Sequence, residues 1–193
     1  MSGLVRSPVV PSVRSNLREV EISERLRLRP LGAADADAAH ALLSDERVVR
    51  YMLFPRFDRK RARSFVAKVQ SPPQPGERGQ VVLAIEELAG NDVIGLCGLV
   101  LEPEAEEGEA WYLLQPDRWG RGLATEALGG LVAHGFRARG VRRMTARCLP
   151  ENPASSRVLE KLGFKREGHL RQNLRINGEW RDSYLYARLA SDP

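Results

Sequence analysis

The segment Arg118-Trp119-Gly120-Arg121-Gly122-Leu123-Ala124-Thr125 stands between a short apolar run, residues 110–114, and a longer stretch, 124–139, with Leu128, Leu131, Val132 and Phe136 on one helical stripe. This change of period commits the chain to a strand, a glycine turn and a helix, with Gly140 as the helix stop. Two glycines let the backbone curl closely around a ligand. The unpaired amides of the helix start offer donors and a positive dipole end to phosphate oxygens. The plainer reading of the same letters is a strand-to-helix turn that needs flexible residues. No Gly-Lys-Ser/Thr follows and no third glycine completes the set, so neither a nucleotide P-loop nor a dinucleotide fingerprint is present.

The rest of the chain reads as alternating layers. Residues 25–31 alternate with period two, a half-buried strand, and residues 33–44 and 58–70 carry helical spacing, the second capped by Asp58. The proline-rich stretch 71–76 ends that helix, because proline lacks the amide donor and clashes with the preceding turn. Residues 81–85 and 93–101 read as buried strands joined around Gly90-Asn91-Asp92. An acidic loop over 102–109 then leads into the 110–114 strand. Beyond Gly140 come a strand over 141–148, a helix over 152–162 closed by Gly163, and two strands, 170–176 and 180–189, flanking the hairpin signal Asn177-Gly178. The pattern predicts an α/β (α+β) layer structure around one mostly antiparallel sheet.

A chain of 193 residues fits one domain, expected over 24–193 behind a loosely held lead-in at 1–23. No apolar stretch is long enough for a membrane helix, and Arg6, Pro8, Pro11 and Arg14 interrupt any signal-peptide core, so a cytoplasmic address and no membrane partner are expected. Cys97 and Cys148 lie in apolar runs and read as core thiols. His40, His134 and His169 are scattered without a metal or triad arrangement, and no metal is expected. The net charge of +5 suits a polyanionic ligand. Only 6% of residues are aromatic, which disfavours base stacking and hence a direct nucleic-acid role.

The glycine loop resembles the coenzyme loop of the GNAT superfamily of acyl-CoA-dependent N-acyltransferases, Gln/Arg-x-x-Gly-x-Gly/Ala. Trp119 stands where most members carry Gln or Arg, as in the branch containing the ribosomal-protein N-terminal acetyltransferases. Asn152-Pro153-Ala154-Ser155-Ser156-Arg157-Val158-Leu159-Glu160-Lys161-Leu162-Gly163-Phe164 is similar to a second element of that branch, and Glu167-Gly168 with residues 177–182 is similar to its closing hairpin. The resemblance covers about residues 26–189 in the family's element order.

It implies a seven-stranded, mostly antiparallel sheet with splayed fourth and fifth strands and about four flanking helices. It also implies an enzyme that transfers an acetyl group directly from acetyl-CoA, as co-substrate, to a primary amine. By the same resemblance, main-chain groups of Tyr112, Leu113 and Leu114 line the gap where the pantetheine arm lies, and Trp119, Gly120, Arg121, Gly122, Leu123, Ala124 and Thr125 hold the diphosphate. The Leu114 amide is then the oxyanion donor. Ser155 is the candidate acid, with a helix cap as its alternative role, and Asn152 is the cap proper with a side-chain contact to the coenzyme. Glu109 is the candidate base through a water, or else one more member of the acidic loop. A base that some relatives carry beyond the Glu-Gly pair is not inherited, since Arg171-Gln172-Asn173-Leu174 stands there. The family's last strands often pair between subunits, which leaves a homodimer open.

The acceptor expected is a protein or peptide N-terminal α-amine, such as that of a ribosomal protein. Neutralising a lysine amine of pKa about 10.4 at pH 7 costs about 4.6 kcal/mol, against about 1 kcal/mol for an α-amine near 7.8. Antibiotics and polyamines as acceptors, or a sensor that binds acyl-CoA without turnover, are the alternatives.

Overall fold

The computed structural model describes residues 20–52, 54–71, 79–102, 106–176 and 178–193. Most of the lead-in, the 72–76 loop, the middle of the acidic run and Asn177 lie outside the described residues. The strands are β1 (Val20–Glu21), β2 (Leu26–Pro30), β3 (Gly79–Glu87), β4 (Asp92–Glu102), β5 (Glu107–Leu114), β6 (Arg143–Cys148), β7 (Lys165–Ile176) and β8 (Glu179–Leu189). The helices are α1 (Ala36–Ser44), α2 (Glu46–Val49), α3 (Arg59–Gln70), α4 (Leu123–Arg139) and α5 (Pro153–Lys161).

The strands form one eight-stranded sheet in the order β1-β2-β3-β4-β5-β6-β8-β7. Every neighbouring pair is antiparallel except β5 and β6. The seven strands expected from the sequence are β2 to β8, so the family's fourth and fifth strands are β5 and β6 here. The added β1 is only two residues long and exists by pairing with Leu28 and Arg27 of β2.

Helices cover both faces, and the central strands are therefore apolar on both sides. On one face α4 and α5 bury Leu128, Leu131, Val132 and Leu159 against Leu83, Ile85, Leu99, Met144 and Tyr186. On the other, α1 and α3 bury Leu42, Leu43, Ala62 and Val66 against Val82, Ala84, Leu96 and Leu113. The alternation in β2 divides the same way. Leu26 and Leu28 enter the α4 core, while Arg27 and Arg29 reach the buried Glu86, and Arg29 also meets Asp35 at 2.8 Å. The Arg29 hydrogen bond holds the Asp35 carboxyl below its ordinary value. Burial pushes the Glu86 carboxyl up, and hydrogen bonds from Arg29 and Arg27 outweigh it.

Three sequence expectations are corrected. The helix over 33–44 begins as a single 3-10 turn, Ala33–Asp35, before α1. The acidic loop is shorter than expected, because Glu107, Gly108 and Glu109 belong to β5. Its glutamates pair with arginines at the surface: Glu106, Glu107 and Glu109 meet Arg142, Arg143 and Arg147 at 3.8, 3.2 and 3.0 Å. The first strand of the closing hairpin starts at Lys165 and takes in Glu167-Gly168. Cys97 and Cys148 are buried free thiols, both pushed up by burial. Among the described residues no helix is long and apolar enough to cross a membrane.

Candidate active site

The central feature is a seam that stops. β5 and β6 pair in parallel at Glu107 with Arg143, Gly108 with Met144 and Glu109 with Thr145, and no further pair follows among the described residues. Each strand nevertheless keeps its outer partner, β5 with β4 as far as Leu114 and β6 with β8 as far as Cys148. The two strands thus part beyond Glu109. The Gln115 amide donates to the Ile94 carbonyl on β4 at 2.9 Å. By strand alternation Leu114 and Tyr112 turn their main-chain groups the other way, toward β6, and Leu113 turns toward β4.

At the C-terminal end of β5 a 3-10 turn, Pro116–Arg118, leads into the glycine loop. The Trp119 indole donates its N–H to the Leu114 carbonyl at 2.8 Å, which ties the loop to the strand end while leaving the ring 47% exposed. Gly120 and Gly122 take φ of 75° and 79°, the left-handed region that favours glycine. A side chain added at Gly120 would meet nothing within 4 Å. Gly122 is the residue before α4 and has no side chain with which to cap it. The amides of Leu123, Ala124 and Thr125 therefore start the helix without an intrahelical acceptor. This turn, with free amides at the helix start, fits an anionic group, and the diphosphate of a coenzyme is one of the right charge.

Ser155 lies across the gap. Asn152 accepts the Ser155 amide at 3.2 Å, so Asn152 caps α5 and the Ser155 hydroxyl is released from that role. The Tyr112 phenol donates to Ser155 Oγ at 3.3 Å, joining β5 to the first turn of α5 on the α4 face. Burial pushes the Tyr112 phenol up, with its hydrogen bond to Ser155 acting against that, so it stays protonated and able to donate at neutral pH. The sequence assigned Tyr112 only its main chain. Its side chain is a second hydroxyl at the site, and the period-two position of Tyr112 on β5 is the signal that faces it toward α5.

Glu109 sits at the last β5–β6 pair, and both its carboxylate oxygens lie 3.0 and 3.2 Å from Arg147 Nη1. Strand alternation puts it on the face opposite Tyr112. The structure thus brings Tyr112 and Ser155 together on one side of the gap and leaves Glu109 on the other. A further pair escaped sequence reading: His169 Nε2 lies 2.6 Å from Asp182 Oδ2, and the Gln172 amide donates to Asp182 Oδ1 at 2.9 Å. These residues meet at an irregularity in the β7–β8 register between Leu170 and Leu174, so no sequence spacing reveals them. Trp180, beside the hairpin turn, is 58% exposed. Among the described residues no group of three or more His, Cys, Asp or Glu side chains converges as a metal site.

Comparison with known proteins agrees with this geometry. The acetyltransferase (GNAT) domain family matches residues 25–165, most of the chain, and the chain belongs to that family. It is 32% identical over 173 residues to the uncharacterized N-acetyltransferase p20 of Bacillus licheniformis, covering 89% of this chain and 96% of that one. Over 76 residues, 39% of each chain, it is 37% identical to the ribosomal protein uS5-alanine N-acetyltransferase of Escherichia coli. A solved GNAT-family acetyltransferase from Bacillus anthracis superposes with a TM-score of 0.80 at 27% identity, covering 91% of this chain and all of that one. The spermidine N-acetyltransferase of Vibrio cholerae, solved with CoA and spermine, shares the fold with a TM-score of 0.77 at 22% identity, covering 88% of this chain and 98% of that one. The chain is an N-acetyltransferase.

Proposed function

We propose that the chain acetylates the α-amine of a protein or peptide N-terminus, with acetyl-CoA as the donor held between β5 and β6. The observation that carries this reading is the end of β5–β6 pairing at Glu109 and Thr145, with a glycine loop and an uncapped helix start at the same strand end. Trp119, Gly120, Arg121, Gly122, Leu123, Ala124 and Thr125 hold the diphosphate, and Tyr112 and Leu114 offer main-chain groups to the amides of the pantetheine arm. Asn152 caps α5 through its Oδ1 and offers its side-chain amide to the coenzyme. When bound, acetyl-CoA supplies an acyl carbon activated as a thioester.

The chain's own groups are arranged around that carbon. The Leu114 N–H is the donor for the carbonyl oxygen as it gains charge. Ser155, with the Tyr112 phenol behind it, holds a proton at the α5 side of the gap for the departing sulfur. Glu109, on the opposite face, takes a proton from the incoming amine through a water. Its carboxylate is engaged by Arg147, which suits an acceptor that needs little help to lose a proton. An α-amine is such an acceptor. The part-length likeness to the ribosomal protein uS5-alanine N-acetyltransferase supports a protein acceptor.

The test is thiol release from acetyl-CoA against a panel of N-terminal peptides, polyamines and aminoglycosides. Release with α-amine peptides that is lost when the terminus is blocked supports the reading. Release only with polyamines or antibiotics overturns the acceptor, and coenzyme binding without release from any amine overturns turnover itself.

A further inference from the structure

The first turn of α4 contains an acidic side chain, Glu126, at the helix end proposed to receive a diphosphate. Such a carboxylate ordinarily stabilises a helix start, but here it competes with the ligand for the same positive end. The structure cancels it from far away in sequence. Arg25, in the turn between β1 and β2, places Nε 3.0 Å from Glu126 Oε2, and its Nη2 also meets that oxygen. The Ser23 hydroxyl meets Oε1. The same hydroxyl accepts the amides of Arg25 and Leu26 at 3.0 and 3.1 Å, so the turn itself is fixed. Arg25 Nη1 donates to the Arg121 carbonyl at 3.3 Å, in the middle of the glycine loop. A Cβ built at Gly122 would lie 3.9 Å from Arg25 Nη2.

We infer that Arg25 is a positioning residue for coenzyme binding that acts by neutralising the Glu126 carboxylate beside the loop amides that face an anion. This rests on the reading of the loop as the diphosphate site. Two effects are separable. If neutralisation dominates, removing Arg25 leaves an uncompensated negative charge beside the phosphates, and removing Glu126 as well restores binding. If Arg25 merely braces the turn, removing Glu126 restores nothing.

Isothermal titration with coenzyme A, and with pantetheine as a probe lacking the diphosphate, distinguishes them. Arg25→Ala is expected to weaken coenzyme A binding about tenfold at low ionic strength, with a smaller effect at high salt. Glu126→Gln is expected to bind at least as tightly as the parent, and the double variant to return within about threefold of it. Pantetheine affinity is expected to stay unchanged in all three. An Arg25→Ala variant that binds coenzyme A like the parent, or a double variant as weak as the single, overturns the inference while leaving the loop assignment intact. Failure of the parent to bind coenzyme A overturns both.

Discussion

The left-handed backbone at Gly122 allows the loop assignment to be tested with two substitutions that differ only in charge. At φ 79° any side chain is strained, by about 1–2 kcal/mol, and both variants share that cost. The space itself is open, since the nearest atom to an added Cβ is Arg25 Nη2 at 3.9 Å. Gly122→Ala therefore tests strain alone. Gly122→Asp adds a carboxylate beside the amides of Leu123, Ala124 and Thr125. Arg25 is already engaged by Glu126, which limits how far it can screen the new charge. A negative charge about 6 Å from one phosphate charge, at an effective dielectric of about 20, is repelled by about 2.8 kcal/mol, or about a hundredfold in affinity. Calorimetric titration with coenzyme A should show Gly122→Ala within a few-fold of the parent and Gly122→Asp about two orders of magnitude weaker. The gap should narrow as salt is raised. Equal affinities for the two variants would refute the placement of the diphosphate at this turn.

Three other predictions follow from separate parts of the structure. Ser155→Ala should lower kcat by about ten- to a hundredfold without changing coenzyme A affinity, because Asn152 keeps α5 capped, and Tyr112→Phe should give a smaller loss of the same kind; steady-state kinetics beside titration separates the two quantities. A Cβ at Gly98 would fall 2.4 Å from the Val81 carbonyl oxygen and 2.6 Å from the Trp111 ring, so Gly98→Ala should destabilise the fold by about 1–3 kcal/mol in urea denaturation. Glu86→Ala strips two arginines of a buried partner and should cost about 3 kcal/mol at pH 7. Because the Asp35 and Glu86 carboxyls both titrate below their ordinary values when folded, the stability they contribute is complete above about pH 5 and is lost as pH falls through about 4 and below. Glu86→Ala should flatten that acid dependence.

The readable parts of this sequence are those whose cause is local. Asp58 accepts the Arg61 amide at 2.7 Å and Asn152 the Ser155 amide at 3.2 Å, both side-chain caps that the sequence announces. The apolar runs in β3 and β4 and the glycine stop after α4 are equally direct. The unread parts depend on partners distant in sequence. Glu107 and Glu109 resemble loop residues until Arg143 and Arg147 of β6 give them a strand to pair with and a cation to meet. Trp119 is legible as a family letter, but its indole bond to the Leu114 carbonyl is not. His169 and Asp182 meet only because β7 slips its register against β8.

The same distinction bears on the gap between β5 and β6. Neither strand is frayed: β5 runs to Leu114 on β4 and β6 to Cys148 on β8, so each belongs to a well-formed half-sheet. Among the described residues the β5–β6 ladder that joins the halves is short, from Glu107 to Glu109. Main-chain donors and acceptors facing a gap are costly unless something satisfies them. Trp119 satisfies one, the Leu114 carbonyl. The Tyr112 main chain and the Leu114 amide are left facing the opening, one wall of which is closed by the contact between Tyr112 and Ser155. A ligand that lies along β5 and carries its own amides replaces the missing strand there. Any substitution that zips β5 to β6 beyond Glu109 would stabilise the sheet and remove the site together.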